Sequence, residues 1–111
     1  MCQYNTWYHN NKVGYVVQCM DCKNLQVGFG NLSINLSPSG FRSFCSLINR
    51  QYTELGMAHE IAGRCISIPT PCEGMNLLLN GAELKDLCEM LETADNEIKT
   101  RQLLQLFNKE G

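Results

Sequence analysis

Residues 25–48 read LQVGFGNLSINLSPSGFRSFCSLI, and the hydrophobic period changes once inside that stretch. Leu25, Val27 and Phe29 alternate with Gln26, Gly28 and Gly30, and Leu32, Ile34 and Leu36 alternate with Ser33, Asn35 and Ser37. A period of two sends alternate side chains to opposite faces, so these are two half-buried antiparallel strands. Gly30-Asn31 supplies the turn between them. From Ser37-Pro38 the apolar residues fall at Phe41, Phe44, Cys45 and Ile48, the i, i+3, i+4, i+7 spacing of one helix face. Ser37 suits the N-cap and Pro38 the first helical position, where its missing N–H costs nothing. The helix is expected to end near Leu55-Gly56, with a loop containing Gly63 beyond it.

The same strand–strand–cap–helix order recurs 43 positions on. Without gaps, Cys22 meets Cys65, Leu25 meets Ile68, and Leu32, Ile34 and Leu36 meet Met75, Leu77 and Leu79. Ser37 meets Asn80, Phe41 meets Leu84, Phe44 meets Leu87, Cys45 meets Cys88 and Ile48 meets Leu91. Asn80 with Glu83 three residues later is a capping-box start. Residues 65–69 and 75–80 form the second strand pair, turning near Glu73-Gly74, with Pro69 and Pro71 confining the first of them to an edge or to a short length. Outward from the repeat (22–50 and 65–93), residues 4–9 and 13–19 are rich in aromatic and β-branched types around Asn10-Asn11-Lys12, which predicts an N-terminal hairpin. The expected architecture is therefore α+β in a single domain, 1–111. An antiparallel sheet of about five to six strands, from two ββα halves plus the hairpin, carries both helices on one face.

The last helix, expected over about 82–108, would span ~40 Å. Leu84, Leu87, Cys88, Leu91, Ala94 and Ile98 share one stripe, whereas Leu103, Leu104 and Phe107 lie roughly 100–200° away from it. An apolar face that changes side must fold back or bury itself elsewhere. The expectation is a homodimer through Ile98, Leu103, Leu104 and Phe107, with packing against the N-terminal hairpin as the alternative.

The 111 residues carry 44% apolar and 18% charged residues and a net charge of −2, the balance of a folded domain. Scattered Lys and Arg with no basic face argue against nucleic acid as a partner. No basic n-region with an apolar h-region precedes the domain, and no apolar run approaches membrane-spanning length. The expected location is cytoplasmic. Seven cysteines, an odd number without an export signal, do not suggest a disulfide framework.

Cys19-Met20-Asp21-Cys22 falls at the bend between two apolar strands. A Cys-x2-Cys pair at a hairpin tip lets two thiolates grip one ion, zinc above all, at Zn–S distances of about 2.3 Å. Tetrahedral closure needs two more donors. Cys2 and His9 are the nearest candidates, giving Cys2-x6-His9-x9-Cys19-x2-Cys22, and Cys65 with Cys72 is a second way to complete the site. A redox dithiol is the competing reading, but such pairs open helices whose dipole lowers the thiol pKa. Here a strand follows, and Asp21 adds negative charge. Cys45 and Cys88 fall on helix stripes and read as packing residues. His59 beside Glu60 reads as a solvated loop residue, and Gly28-Phe29-Gly30 has no helix behind it to cradle a phosphate.

Cys2, Gly14-Tyr15-Val16 leading into Cys19-x2-Cys22, Gly28-Phe29-Gly30, and Ile68-Pro69-Thr70-Pro71 followed by Leu84 to Asp95 resemble a small family of uncharacterised bacterial proteins of the Bacteroidetes type. The resemblance implies an intact bacterial cytosolic domain and brings no activity with it. The expected function is a non-enzymatic zinc-binding interaction module. The alternatives are a thiol redox or metal-trafficking protein using Cys19 and Cys22, and a partner-binding domain without metal.

Overall fold

The computed structural model describes residues 3–55, 62–70 and 74–110, with backbone only for 108–110; Cys2, His59, Glu60, Pro71, Cys72 and Glu73 lie outside these residues. The elements run β1 (Tyr4–Asn10), β2 (Gly14–Cys19), β3 (Leu25–Phe29), β4 (Leu32–Leu36), α1 (Pro38–Leu55), β5 (Ile66–Pro69), β6 (Asn76–Leu79) and α2 (Gly81–Glu110). The α+β class and both helices follow the sequence pattern. The single sheet of five to six strands does not form: β1-β2-β3-β4 make a four-stranded antiparallel meander, and β5-β6 pair separately. Hydrophobic alternation sets which face of a strand points inward, but not which edge meets which. The second hairpin has strands of four residues. Pro69 leaves it one ladder donor short. It satisfies its burial through Ile66, Ile68 and Leu79 while closing its hydrogen bonds on itself.

One apolar core joins all of it. Trp7, Val16, Leu25, Val27, Ile34 and Leu36 form the inward face of the large sheet, covered by Phe41, Phe44 and Ile48 of α1 and by Leu84, Leu87, Met90, Leu91 and Ala94 of α2. The opposite face, with Gln26, Ser33 and Asn35, is wet. Gly28 is there because Tyr15, its cross-strand partner, lays its ring over it; a Cβ at Gly28 would run into that ring. Covering a strand glycine with an aromatic ring offsets the glycine's poor strand propensity. Gly30 turns β3 into β4 with φ +60°.

Both helices start as the repeat predicts. Ser37 Oγ accepts the Gly40 N–H at 3.0 Å, and 43 residues on Asn80 Oδ1 accepts the Glu83 N–H at 2.7 Å. Glu83 Oε1 returns the bond to the Asn80 N–H at 3.0 Å, completing the capping box. The gapless offset holds through β6 and α2 but fails in β5. Leu25↔Leu36 and Val27↔Ile34 are answered by Ile66↔Leu79 and Ile68↔Leu77, so the second hairpin carries two extra residues at its tip and its first strand matches 41 positions on. The correspondence of Cys22 with Cys65 is lost with them.

One feature escaped the pattern. Between Thr6↔Val17 and Tyr8↔Val16 the register slips, leaving Trp7 as a bulge residue. Bulges re-aim side chains, and Trp7 is the buried residue of β1. α2 runs unbroken through its 30 residues for about 45 Å, as the helix expected over 82–108 requires, and the molecule is accordingly elongated, 51 × 29 × 26 Å.

Candidate functional site: the cysteine knuckle and the helix tail

The bend between β2 and β3 is built by its backbone. The Cys19 N–H donates to the Asn24 carbonyl at 2.9 Å, and the Lys23 N–H donates to the Cys19 carbonyl at 2.9 Å. Lys23 takes the left-handed conformation, φ 69°, which costs a residue with a Cβ roughly 1–2 kcal/mol. In this turn the Cys22 N–H points at the Cys19 sulfur, 3.5 Å away. An N–H aimed at sulfur stabilises negative charge there, which suits a thiolate ligand. Cys19 is buried at the end of its strand and Cys22 is exposed. Both line a shallow cavity of about 180 Å³ with Tyr4, Asn24, Gln26 and Asn35.

The start of β1 lies against this bend. The Met20 N–H donates to the Gln3 carbonyl at 2.7 Å, and Tyr4 is the cross-strand partner of Cys19. Cys2 adjoins Gln3 in sequence and lies outside the described residues. His9 does not join the knuckle: it pairs with Tyr15, at the far end of the hairpin. Four to five residues of strand separate it from Cys19, about 13–17 Å. It borders instead an open polar depression of about 460 Å³ among the turns, with Asn11, Lys12, Asn31 and Ser33. Cys65 is exposed before β5, and Cys72 lies outside the described residues. Among the described residues, no three of His, Cys, Asp and Glu gather closely enough to hold a metal ion. The knuckle thus offers two sulfurs from described residues.

Cys45 and Cys88 border a groove of about 290 Å³ between α1 and α2, with Asn49, Glu92, Asp95 and Lys99. Burial, then the Asp95 carboxylate, pushes the Cys45 thiol up to about 12. Burial, then Glu92 and Glu89, also raises Cys88. Both stay protonated at neutral pH, which makes them poor nucleophiles and poor ligands. Their role is packing.

From Cys19 the polar contacts lead to α2. The Gln18 side-chain amide donates to the Lys23 carbonyl at 2.8 Å and accepts from Trp7 Nε1 at 3.1 Å. The Arg101 guanidinium lies over the Trp7 ring, 5.5 Å from its centroid. Gln18 also shares a small cavity with Ile98 and Gln102. The last turns of α2 therefore pass the knuckle end of the sheet. Beyond Arg101 the helix exposes Leu103 (57%), Leu104 (54%), Leu106 (59%) and Phe107 (71%). At about 100° per residue, these four centre on the side of α2 nearly opposite its buried stripe. The side that follows the buried stripe carries Arg101, Gln102 and Gln105 instead. Of the residues expected at a dimer contact, Ile98 is half-buried against the core instead, whereas Leu103, Leu104 and Phe107 stay exposed; Arg101 and Gln102 reach the N-terminal hairpin at Trp7 and Gln18.

Sequence reasoning found the knuckle and most of the tail row but missed Leu106, which completes the row. It also missed Gln18, whose connecting role depends on the Trp7 bulge.

The model of a family described as Family of unknown function (DUF6686) matches residues 1–109. No curated protein matches the chain, and no solved structure matches it.

Proposed function

The chain belongs to the family of unknown function DUF6686, and on that premise we propose that it is a non-enzymatic protein-interaction module. The tail of α2 is its docking element, and a zinc ion at the Cys19–Cys22 bend stabilises the β2–β3 turn. The observation that carries the reading is the tail row, in which Leu103, Leu104, Leu106 and Phe107 are each more than half exposed. A monomer gains nothing from four large apolar side chains held away from its own core, and such a patch marks a contact surface.

The zinc limb rests on the N–H···S contact within the bend and on the Gln3–Met20 bond. Cys19 and Cys22 supply two thiolates, and the remaining positions fall to donors outside the described residues, with Cys2 the candidate the sequence offers, or to water or the partner. His9 is set aside because the register places it at the other end of the hairpin. The ion's work is structural, holding the β2–β3 bend in shape.

Two measurements test the two limbs. In dilute solution, Leu103→Gln combined with Phe107→Gln should leave the thermal midpoint unchanged within about 2 °C, because neither side chain supports the core. A fall of more than about 5 °C would make the row part of the fold. Protein purified without added metal should carry stoichiometric zinc that Cys19→Ser abolishes; a metal-free wild type would remove the zinc limb and leave the docking limb standing.

A further inference from the structure

We infer that the occupant of the tail row is a second copy of this chain, the two tails lying antiparallel across a two-fold axis. The inference rests on reading the row as a docking face. Charge narrows the partner first. Within residues 100–107 the charged residue is Arg101, and it is turned toward Trp7, away from the row. A row without charge carries no sign with which to select an acidic or basic partner. A copy of itself is complementary without the burial of any charge, and a two-fold contact closes after two subunits.

The ends of the row set the direction. Lys99 flanks it toward the body, held by Asp95 at 2.8 Å. The last helical turn, with the negative end of the helix dipole and with Lys109 and Glu110 in its sequence, flanks it at the other end. Antiparallel tails bring each Lys99 beside the partner's last turn, and parallel tails would set like ends together. Leu103 of one copy then packs against the partner's Phe107, with Leu104 and Leu106 closing the sides.

Area sets the strength. The exposed fractions of 57, 54, 59 and 71%, on side chains of roughly 150–200 Å², leave about 400 Å² of apolar surface per copy. Pairing hides at most about 800 Å² of it, below the ~1,200 Å² where stable interfaces begin. The dimer is therefore reversible and concentration-dependent, half-formed somewhere between roughly 10 and 1,000 µM.

The test uses the full chain with a benzophenone amino acid in place of Phe107, irradiated across that concentration range, beside sedimentation equilibrium of the wild type. The expected result is a covalent dimer, its link mapping to residues 99–107 of the second copy, and a monomer–dimer equilibrium weakened at least tenfold by Leu103→Lys or by Leu106→Lys. A chain monomeric to about 1 mM with no cross-link overturns the second-copy inference and leaves the docking face for a different partner. A cross-link confined to the chain's own body overturns the docking reading as well.

Discussion

At Glu83 three roles meet on one carboxylate: it completes the α2 cap with Asn80, lies in the first turn of that helix, and takes a forked pair of bonds from Arg64 at 3.0 and 2.9 Å. The Arg64 bond, then the Asn80 N–H, holds its carboxyl below the ordinary glutamate value. A lowered native pKa contributes stability that is complete above the unfolded value of about 4.3 and is lost as pH falls through the native one. The Arg64 partner is solvent-exposed, which keeps the gain small. Urea unfolding should show Glu83→Gln less stable than wild type by about 0.5–1 kcal/mol at pH 7, with the gap narrowing as pH falls below the unfolded value; a gap that does not narrow in acid contradicts the assignment. Gly28 makes a steric prediction. Gly28→Ala drives a methyl into the Tyr15 ring and should cost about 1–3 kcal/mol. In the Tyr15→Ala background the same change should cost markedly less, so the cycle shows coupling. Additive costs would mean the ring does not fill that space. Residues such as Ser37, Asn80 and Glu83 were legible in the sequence because a cap is a local event. Tyr15 over Gly28 was not, because it depends on cross-strand register.

The elements show where local pattern stops being enough. Strand alternation and helix spacing located β1 to β6 and both helix starts, since each depends only on neighbours in sequence. The Trp7 bulge stayed hidden because Tyr4, Trp7 and Tyr8 make both faces of β1 aromatic, so a one-residue slip leaves no trace in the pattern. The bulge sets Trp7 against Gln18, which bonds Lys23 beyond Cys22, and against Arg101 of α2. The tryptophan, the single one in the chain, therefore reports on both ends of this connection. Adding zinc to metal-free protein should change its emission, and Gln18→Ala should remove most of that response while leaving zinc binding in place. Arg101→Gln should also shift the emission, with a loss of about 0.5–1 kcal/mol for an exposed cation–π contact. An emission blind to zinc would mean that the bend and the indole do not communicate.

At the scale of the molecule, two ββα halves share one core, but their backbones stay in two sheets. The shared core could be read from apolar periodicity, while the separation of the sheets could not, because edge pairing is decided by length and by Pro69 rather than by which face is apolar. The same distinction governs the knuckle. Cys19 and Cys22 were legible as a pair from spacing alone, whereas the position of His9 depends on how far a strand carries it, and the register takes it to the opposite end. No helix among the described residues is long and apolar enough to cross a membrane. The α2 tail puts its apolar row on the side away from the body, and that geometry is the centre of the functional account. Amide hydrogen exchange over residues 99–107, followed from about 5 µM to about 1 mM protein, tests it most directly. Protection there should rise with concentration while that of residues 84–94 stays constant and high. Exchange in the tail that is fast and unchanged across the range, or already as slow as the core at the lowest concentration, would contradict it.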